Sequence, residues 1–166
     1  KIYLADLAHD YLQANFTAPL GVAFISEYIN SIYPGKLDVK LFKSPGKLAD
    51  ALNNGAPPDI LGLSNYSWNE GLNRLFEEKI GTSCPNTVII QGGPHIRTDR
   101  DGIAAHLRDH PNVDFYAMFE GEWPMGHLVG HMLAENKVTK PLDIDSPIPG
   151  IAFLKKGELI YEPYSS

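Results

Sequence analysis

A doubly wound α/β fold, five parallel strands with helices on both faces, is what this sequence predicts, and three observations carry it. Short apolar runs alternate with stretches whose apolar residues recur every three or four positions, the mark of repeated strand and helix units. One run, Asp59-Ile60-Leu61-Gly62-Leu63-Ser64, is apolar almost throughout, as a central parallel strand covered on both faces must be. A second, Thr87-Val88-Ile89-Ile90, passes directly into Gln91-Gly92-Gly93-Pro94-His95, which sets two adjacent glycines where a strand gives way to a loop.

The elements follow in order. Residues 2–6 make the first strand, and a polar stretch over 7–18 leads to a helix that begins near Pro19, whose fixed φ suits a first helical position. Leu20, Phe24, Ile25, Tyr28, Ile29 and Ile32 are spaced for one apolar face of that helix, and Pro34-Gly35 stops it. Residues 37–42 alternate apolar and polar, as a strand nearer an edge does. Ser44-Pro45 then supplies an N-cap and a first-turn proline for a short helix ending by Gly55. The third strand, 59–64, runs out into Asn65-Tyr66-Ser67-Trp68.

The next helix carries Leu72, Leu75, Phe76 and Ile80 on one face and closes at Gly81, and 86–91 form the fourth strand. Thr98 and Asp101 make a capping box for a helix that turns Ile103, Ala104 and Leu107 inward. The fifth strand covers 113–118. Phe119-Glu120-Gly121-Glu122 leads into a final helix striped by Met125, Leu128, Val129, Met132 and Leu133. The tail breaks the pattern: 150–154 and 158–161 flank Lys155-Lys156-Gly157 as a hairpin with no helix of its own to cover it.

Composition bounds the function. A length of 166 residues suits one domain, and the 43% hydrophobic and 20% charged fractions are those of an ordinary globular chain. No apolar run reaches the roughly 18 residues of a membrane span and no secretory signal opens the sequence, so a cytoplasmic protein without a membrane partner is expected. A formal net charge of -6 with scattered lysines and arginines argues against nucleic acid. A lone cysteine, Cys84, can form neither an internal disulfide nor an iron-sulfur cluster.

In an open parallel sheet, ligands collect beyond the carboxyl ends of the strands. Four unusual loops are expected at that edge: 7–18, 65–68, 92–97 and 120–122. Ser64 ends a buried strand with a hydroxyl able to bond a ring nitrogen or ribose oxygen, or merely to cap local backbone. Tyr66 and Trp68 offer a flat wall, or simply pack. Glu120 and Glu122 can aim two carboxylates across a cleft, although Glu122 equally suits a helix N-terminus. His127 and His131 have the spacing of metal ligands, but no third ligand is evident and no metal site is expected. The first strand lacks a glycine-rich dinucleotide turn, and there is neither a phosphate loop nor a Gly-x-Ser-x-Gly elbow, so no catalytic residue is assigned.

These pieces together resemble the cobalamin-binding domain that precedes the catalytic barrel in cobalamin-dependent radical S-adenosylmethionine enzymes. The carriers are Pro19-Leu20-Gly21, Pro58-Asp59-Ile60-Leu61-Gly62-Leu63-Ser64, Gly92-Gly93-Pro94-His95, Val113-Asp114 and Glu120-Gly121-Glu122, which span nearly the whole chain. The resemblance implies a flavodoxin-like (Rossmann-type) sheet with the corrin ring above the strand ends and the nucleotide tail threaded toward the core. It implies a cofactor-binding set of Ser64, Asn65, Tyr66, Gly92, Gly93, Pro94, His95, Glu120, Gly121 and Glu122. Within it Ser64 contacts the tail, Gly92 and Gly93 leave room for it, and His95 reaches corrin side chains or a partner domain.

The wider cobalamin-domain family carries an Asp-x-His-x-x-Gly motif whose histidine ligates cobalt. Here Asp6 and His9 are separated by two residues and Leu12 stands at position 12, a departure that resembles the radical enzyme branch and leaves the lower ligand as His9 or none. The family's Cys-x-x-x-Cys-x-x-Cys motif is also absent from this sequence. The resemblance therefore implies a module that is not catalytic alone. Residues 1–140 would hold cobalamin and 141–166 would lead to a downstream radical domain carrying the 4Fe-4S cluster and S-adenosylmethionine, for methyl transfer or radical rearrangement. Competing readings are a scaffold or docking domain without cofactor, and a flavin-binding domain of the same fold. A receiver domain wants an aspartate at the end of the third strand, where Ser64 stands.

Overall fold

The computed structural model describes residues 1–9, 18–135, 140, 144 and 146–164. Its strands are β1 (Ile2–Ala5), β2 (Val39–Phe42), β3 (Ile60–Ser64), β4 (Val88–Gly92), β5 (Phe115–Ala117), β6 (Ile151–Lys155) and β7 (Glu158–Tyr161). The helices are α1 (Leu20–Ile32), α2 (Pro45–Asn54), α3 (Glu70–Ser83), α4 (Arg100–Asp109) and α5 (Glu122–Glu135). The strands form one sheet in the order β2-β1-β3-β4-β5-β6-β7. Pairing is parallel from β2 to β5 and antiparallel from β5 to β7.

Period-two alternation splits the core in two. Ile2, Leu4, Ile60, Val88, Ile90, Phe115 and Ala117 face α1 and α5, packing on Val22, Ile29, Met125, Leu128, Val129 and Met132. Tyr3, Leu61, Leu63, Ile89 and Tyr116 face the other way, onto Leu48 and Leu52 of α2, Phe76 and Ile80 of α3, and Ile103 and Leu107 of α4. The strand order reverses between β1 and β3, since β2 and β3 flank β1 on opposite sides. That is the place where doubly wound sheets open a crevice.

Several local expectations are corrected. On α1 the buried residues are Val22, Ser26 and Ile29, whereas Leu20 is 61% and Phe24 59% exposed. Contact with α5 sets this phase: a Cβ at Gly126 would lie 2.8 Å from Tyr28 and one at Gly130 would collide with Tyr33, whose hydroxyl donates to the Gly126 carbonyl at 2.9 Å. On α3, Leu75 is 63% exposed, and Asn73 and Glu77 are buried in its place because they answer polar groups beneath the sheet. Gly81 lies inside α3, which continues to Ser83. The cap of α4 is Asp99, whose carboxylate accepts from Gly102 N at 3.1 Å, in place of the Thr98 and Asp101 pair. Leu133 sits at the outer margin of the α5 stripe, 37% exposed.

The hairpin of β6 and β7 extends the sheet beyond β5, and α4 covers it. Arg100 donates to the carbonyls of Tyr161 (3.1 Å) and Leu159 (3.3 Å), and Arg108 donates to Gly157 O at 3.4 Å. Arg100 thereby occupies outward-facing carbonyls that an edge strand otherwise leaves open. Among the described residues, no helix is long and apolar enough to cross a membrane.

Candidate functional site

The strand register builds the site. On the face toward α1 and α5, Ser64 pairs with Gly92 and Gly92 with Ala117, so three small residues lie side by side at the carboxyl ends of β3, β4 and β5. One row deeper, Leu4, Gly62 and Ile90 are neighbours. A sheet face needs side chains to meet its covering helices, and here a strip of it has almost none. The result is a cleft of about 310 Å³ between sheet, α1 and α5, near the lower limit of ordinary ligand pockets.

Its deep end is apolar: Leu4, Gly62, Ile90, Val22 and Met125 line it. Ser64, Tyr66, Glu120 and Glu122 bring polar groups to its mouth. Gly21, in the first turn of α1, also borders the cleft, and a Cβ added there would meet nothing within 4 Å. Phe119 is 71% exposed and holds a φ of 60°, a conformation that costs a bulky residue energy and that often marks functional turns. Gly121 lets this turn approach α1, since a Cβ there would stand 2.8 Å from Ile25.

Of the residues singled out from the sequence, Ser64, Tyr66, Gly92, Gly93, Glu120, Gly121 and Glu122 all line this cleft. Asn65 is fully buried and turned inward. Pro94 and His95 are exposed beside the cleft, and His95 Nε2 lies 3.3 Å from Glu70 of α3. Trp68, 57% exposed, stacks on Tyr66 with centroids 4.3 Å apart and planes at 9°. His9 is not among the lining residues, and most of the loop proposed over 7–18 lies outside the described residues. His127 packs on Trp123 at 3.9 Å, and no group of three or more metal-ligating side chains occurs among the described residues.

Gly93 does a different job from Gly92. Its φ is 130°, and a Cβ there would lie 2.6 Å from the backbone oxygen of Asn65, so it lets the β3 and β4 loops interlock. Asn65 N donates to Gly92 O at 2.6 Å and His95 N to Asn65 O at 3.2 Å. Below them, Tyr116 Oη donates to Gly93 O at 2.8 Å, and Asn65 Nδ2 donates to His95 O (2.9 Å) and Tyr116 Oη (3.3 Å). Burial pushes the Tyr116 phenol up to about 12, which keeps it a hydrogen-bond donor across the physiological range.

A second polar layer backs the first on the α3 and α4 side. His106 Nε2 meets Gln91 Oε1 at 2.7 Å, Gln91 Nε2 donates to Glu77 Oε1, and His110 Nδ1 lies 2.8 Å from Glu77 Oε2. Arg74, which can only donate, stands 3.4 Å from His110 Nε2. One hydrogen-bond pattern satisfies the chain: His106 Nε2 donates to Gln91 Oε1, and His110 accepts from Arg74 at Nε2 and donates from Nδ1 to Glu77. Burial, above all, holds the His106 pKa down to about 4, consistent with its neutral form. This layer is hidden in the sequence because its members are polar residues at core positions, outside any apolar periodicity. Gly62 and Ala117 were legible in principle, as small residues in phase with Ser64 and Gly92.

No protein-family model matches the chain. Over 137 residues, 82% of its length, it is 28% identical to the cobalamin-dependent radical SAM methyltransferase TokK of Streptomyces tokunonensis. Most of this chain thus matches part of a cobalamin-dependent radical S-adenosylmethionine enzyme. Over 99 residues, 57% of the chain, it is 31% identical to the 2-(S-pantetheinyl)-carbapenam-3-carboxylate methyltransferase of Streptantibioticus cattleyicolor. The fold is that of a segment of the cobalamin-dependent S-adenosylmethionine radical enzyme OxsB, solved with aqua-cobalamin and S-adenosylmethionine bound: TM-score 0.72, 18% identity and 99% of this chain superposed. The chain spans only 18%, 14% and 22% of the lengths of TokK, the carbapenam methyltransferase and OxsB, respectively.

Proposed function

We propose that this chain is the cobalamin-binding module of a larger radical S-adenosylmethionine enzyme, of the methyltransferase kind. The observation that carries the reading is the strip of small residues at Gly62, Ser64, Gly92 and Ala117, which opens a cleft under the strand ends of a chain similar to TokK and sharing the fold of part of OxsB. The residues present fit such a group. Side chains at Gly62 or Gly92 would crowd the cleft, and the Tyr66 and Trp68 stack presents a flat apolar face beside its mouth.

In this reading the cleft receives the nucleotide tail. Ser64, Gly92 and Gly93 border it, and Glu120 and Glu122 supply carboxylates at the mouth for amide donors around the corrin. Asn65, Pro94 and His95 complete the set, Asn65 from within by holding the loops together. When bound, cobalamin supplies a methyl carrier or a radical partner, while the protein binds it, orients it and excludes water. Residues 1–140 hold the cofactor, and residues 141–166, whose hairpin lengthens the sheet, lead to the radical domain with its 4Fe-4S cluster and S-adenosylmethionine. The greater length of the relatives supports that arrangement, and a cytoplasmic setting goes with it.

The test is retention of hydroxocobalamin through gel filtration, read by the visible spectrum. Bound corrin with its tail base off the cobalt is the expected result. A colourless protein would turn the reading toward a cofactor-free docking scaffold, and retained flavin mononucleotide with no corrin would turn it toward a flavin domain.

A further inference from the structure

The chemistry of the cleft narrows what it accepts. Its deep row, Leu4, Gly62 and Ile90, is closed by Val22 of α1 and Met125 of α5, and the four side chains other than Gly62 are at most 3% exposed and wholly apolar. The backbone groups of that row are engaged in the β1, β3 and β4 ladders. Gln91 also lines the cleft, but its amide is turned to the opposite face of the sheet, bonded to Glu77 and His106. Ser64 is one row higher, and Tyr66, Glu120 and Glu122 follow the strand ends. Among the described residues, no side-chain donor or acceptor serves the floor.

A planar group entering this floor must leave its hydrogen bonds in water. A purine with an exocyclic amine and three further ring nitrogens loses several on entry, and a buried unpaired polar group is penalised more than a missing contact. A benzimidazole bearing methyl groups has no donor once joined to its ribose, and its methyls gain by leaving water. We infer that the cleft is a selectivity filter for the lower base of the cofactor, admitting cobamides that end in a methylated benzimidazole and disfavouring those that end in adenine. The inference rests on the cobalamin reading and adds to it which member of the cofactor class the chain takes.

Equilibrium titration separates the two claims. Three corrinoids are compared on the same protein by corrin absorbance: hydroxocobalamin, its adenine-tailed analogue, and cobinamide, which has no tail. The expected order is hydroxocobalamin tightest, with the adenine analogue and cobinamide each weaker by about tenfold or more. If the adenine analogue or cobinamide binds within about threefold of hydroxocobalamin, the filter is overturned while the cobalamin reading stands. If none of the three binds, both fall. Met125→Gln, which brings an amide to the floor at nearly constant volume, is expected to cut the preference over adenine below about threefold in protein whose dichroism is unchanged. An unchanged preference in that folded variant would also overturn the assignment.

Discussion

Tyr116 is the residue through which the buried side of the sheet reaches the cleft. Its hydroxyl is the link between Asn65 and Gly93 O, so Tyr116→Phe removes one donor and leaves a buried carbonyl less well served. That change should lower stability by about 1–2 kcal/mol in urea melts and weaken hydroxocobalamin retention several-fold, although Tyr116 is not among the residues lining the cleft. Equal affinity in the variant would remove the network from the binding account. Phe119 makes the opposite exchange: Phe119→Gly relieves the positive φ and should raise stability by up to about 1 kcal/mol while loosening the turn that carries Glu120 and Glu122. His106 sets a pH dependence whose sign is fixed. Its folded pKa of about 4 lies below the ordinary 6.5, so its contribution is complete above pH 6.5 and is lost as pH falls toward 4. Urea midpoints should therefore fall from pH 7.5 to pH 5 more steeply in the native protein than in His106→Gln.

Among the elements, α1 gives the cleanest probe because Gly21 borders the cleft with nothing within 4 Å of an added Cβ. Gly21→Leu improves helix propensity, for a gain of about 0.5 kcal/mol, and fills the mouth, so bound corrin should drop by about tenfold in a protein that melts no earlier than the parent. Substituting Gly93 is a poorer test, because its missing Cβ faces the Asn65 backbone and the change would disrupt the loop junction itself. The succession of strands and helices, the small helix after Ser44-Pro45 and the inward faces of α4 and α5 were legible in the sequence, because each rests on apolar period or on a capping residue with one dominant use. The phase of α1 was not, because Leu20 and Phe24 are apolar yet exposed where α5 and the cleft leave them no partner surface. Nor was the burial of Asn65, Asn73, Glu77 and Gln91, since their partners lie on other elements.

At the scale of the molecule, the two faces of the sheet divide the work. The α2, α3 and α4 face carries a dense core and the polar layers that hold the β3 and β4 loops in place, and the α1 and α5 face gives up side chains to open a cleft. Seven of the ten residues chosen from sequence line that cleft, because parallel strands bring their carboxyl ends to one edge regardless of separation along the chain. The floor was hidden from sequence for a complementary reason: Leu4, Val22 and Met125 are apolar and almost fully buried, as ordinary core is, and only their place beside Gly62 along the cleft distinguishes them. The most direct measurement is a crystal structure of the protein grown with hydroxocobalamin. The corrin is expected over Tyr66, the 92–95 loop and the 119–122 turn, with its tail base against Leu4, Ile90 and Met125. A corrin bound elsewhere, or a tail lying in solvent with the cleft collapsed onto itself, would contradict this placement.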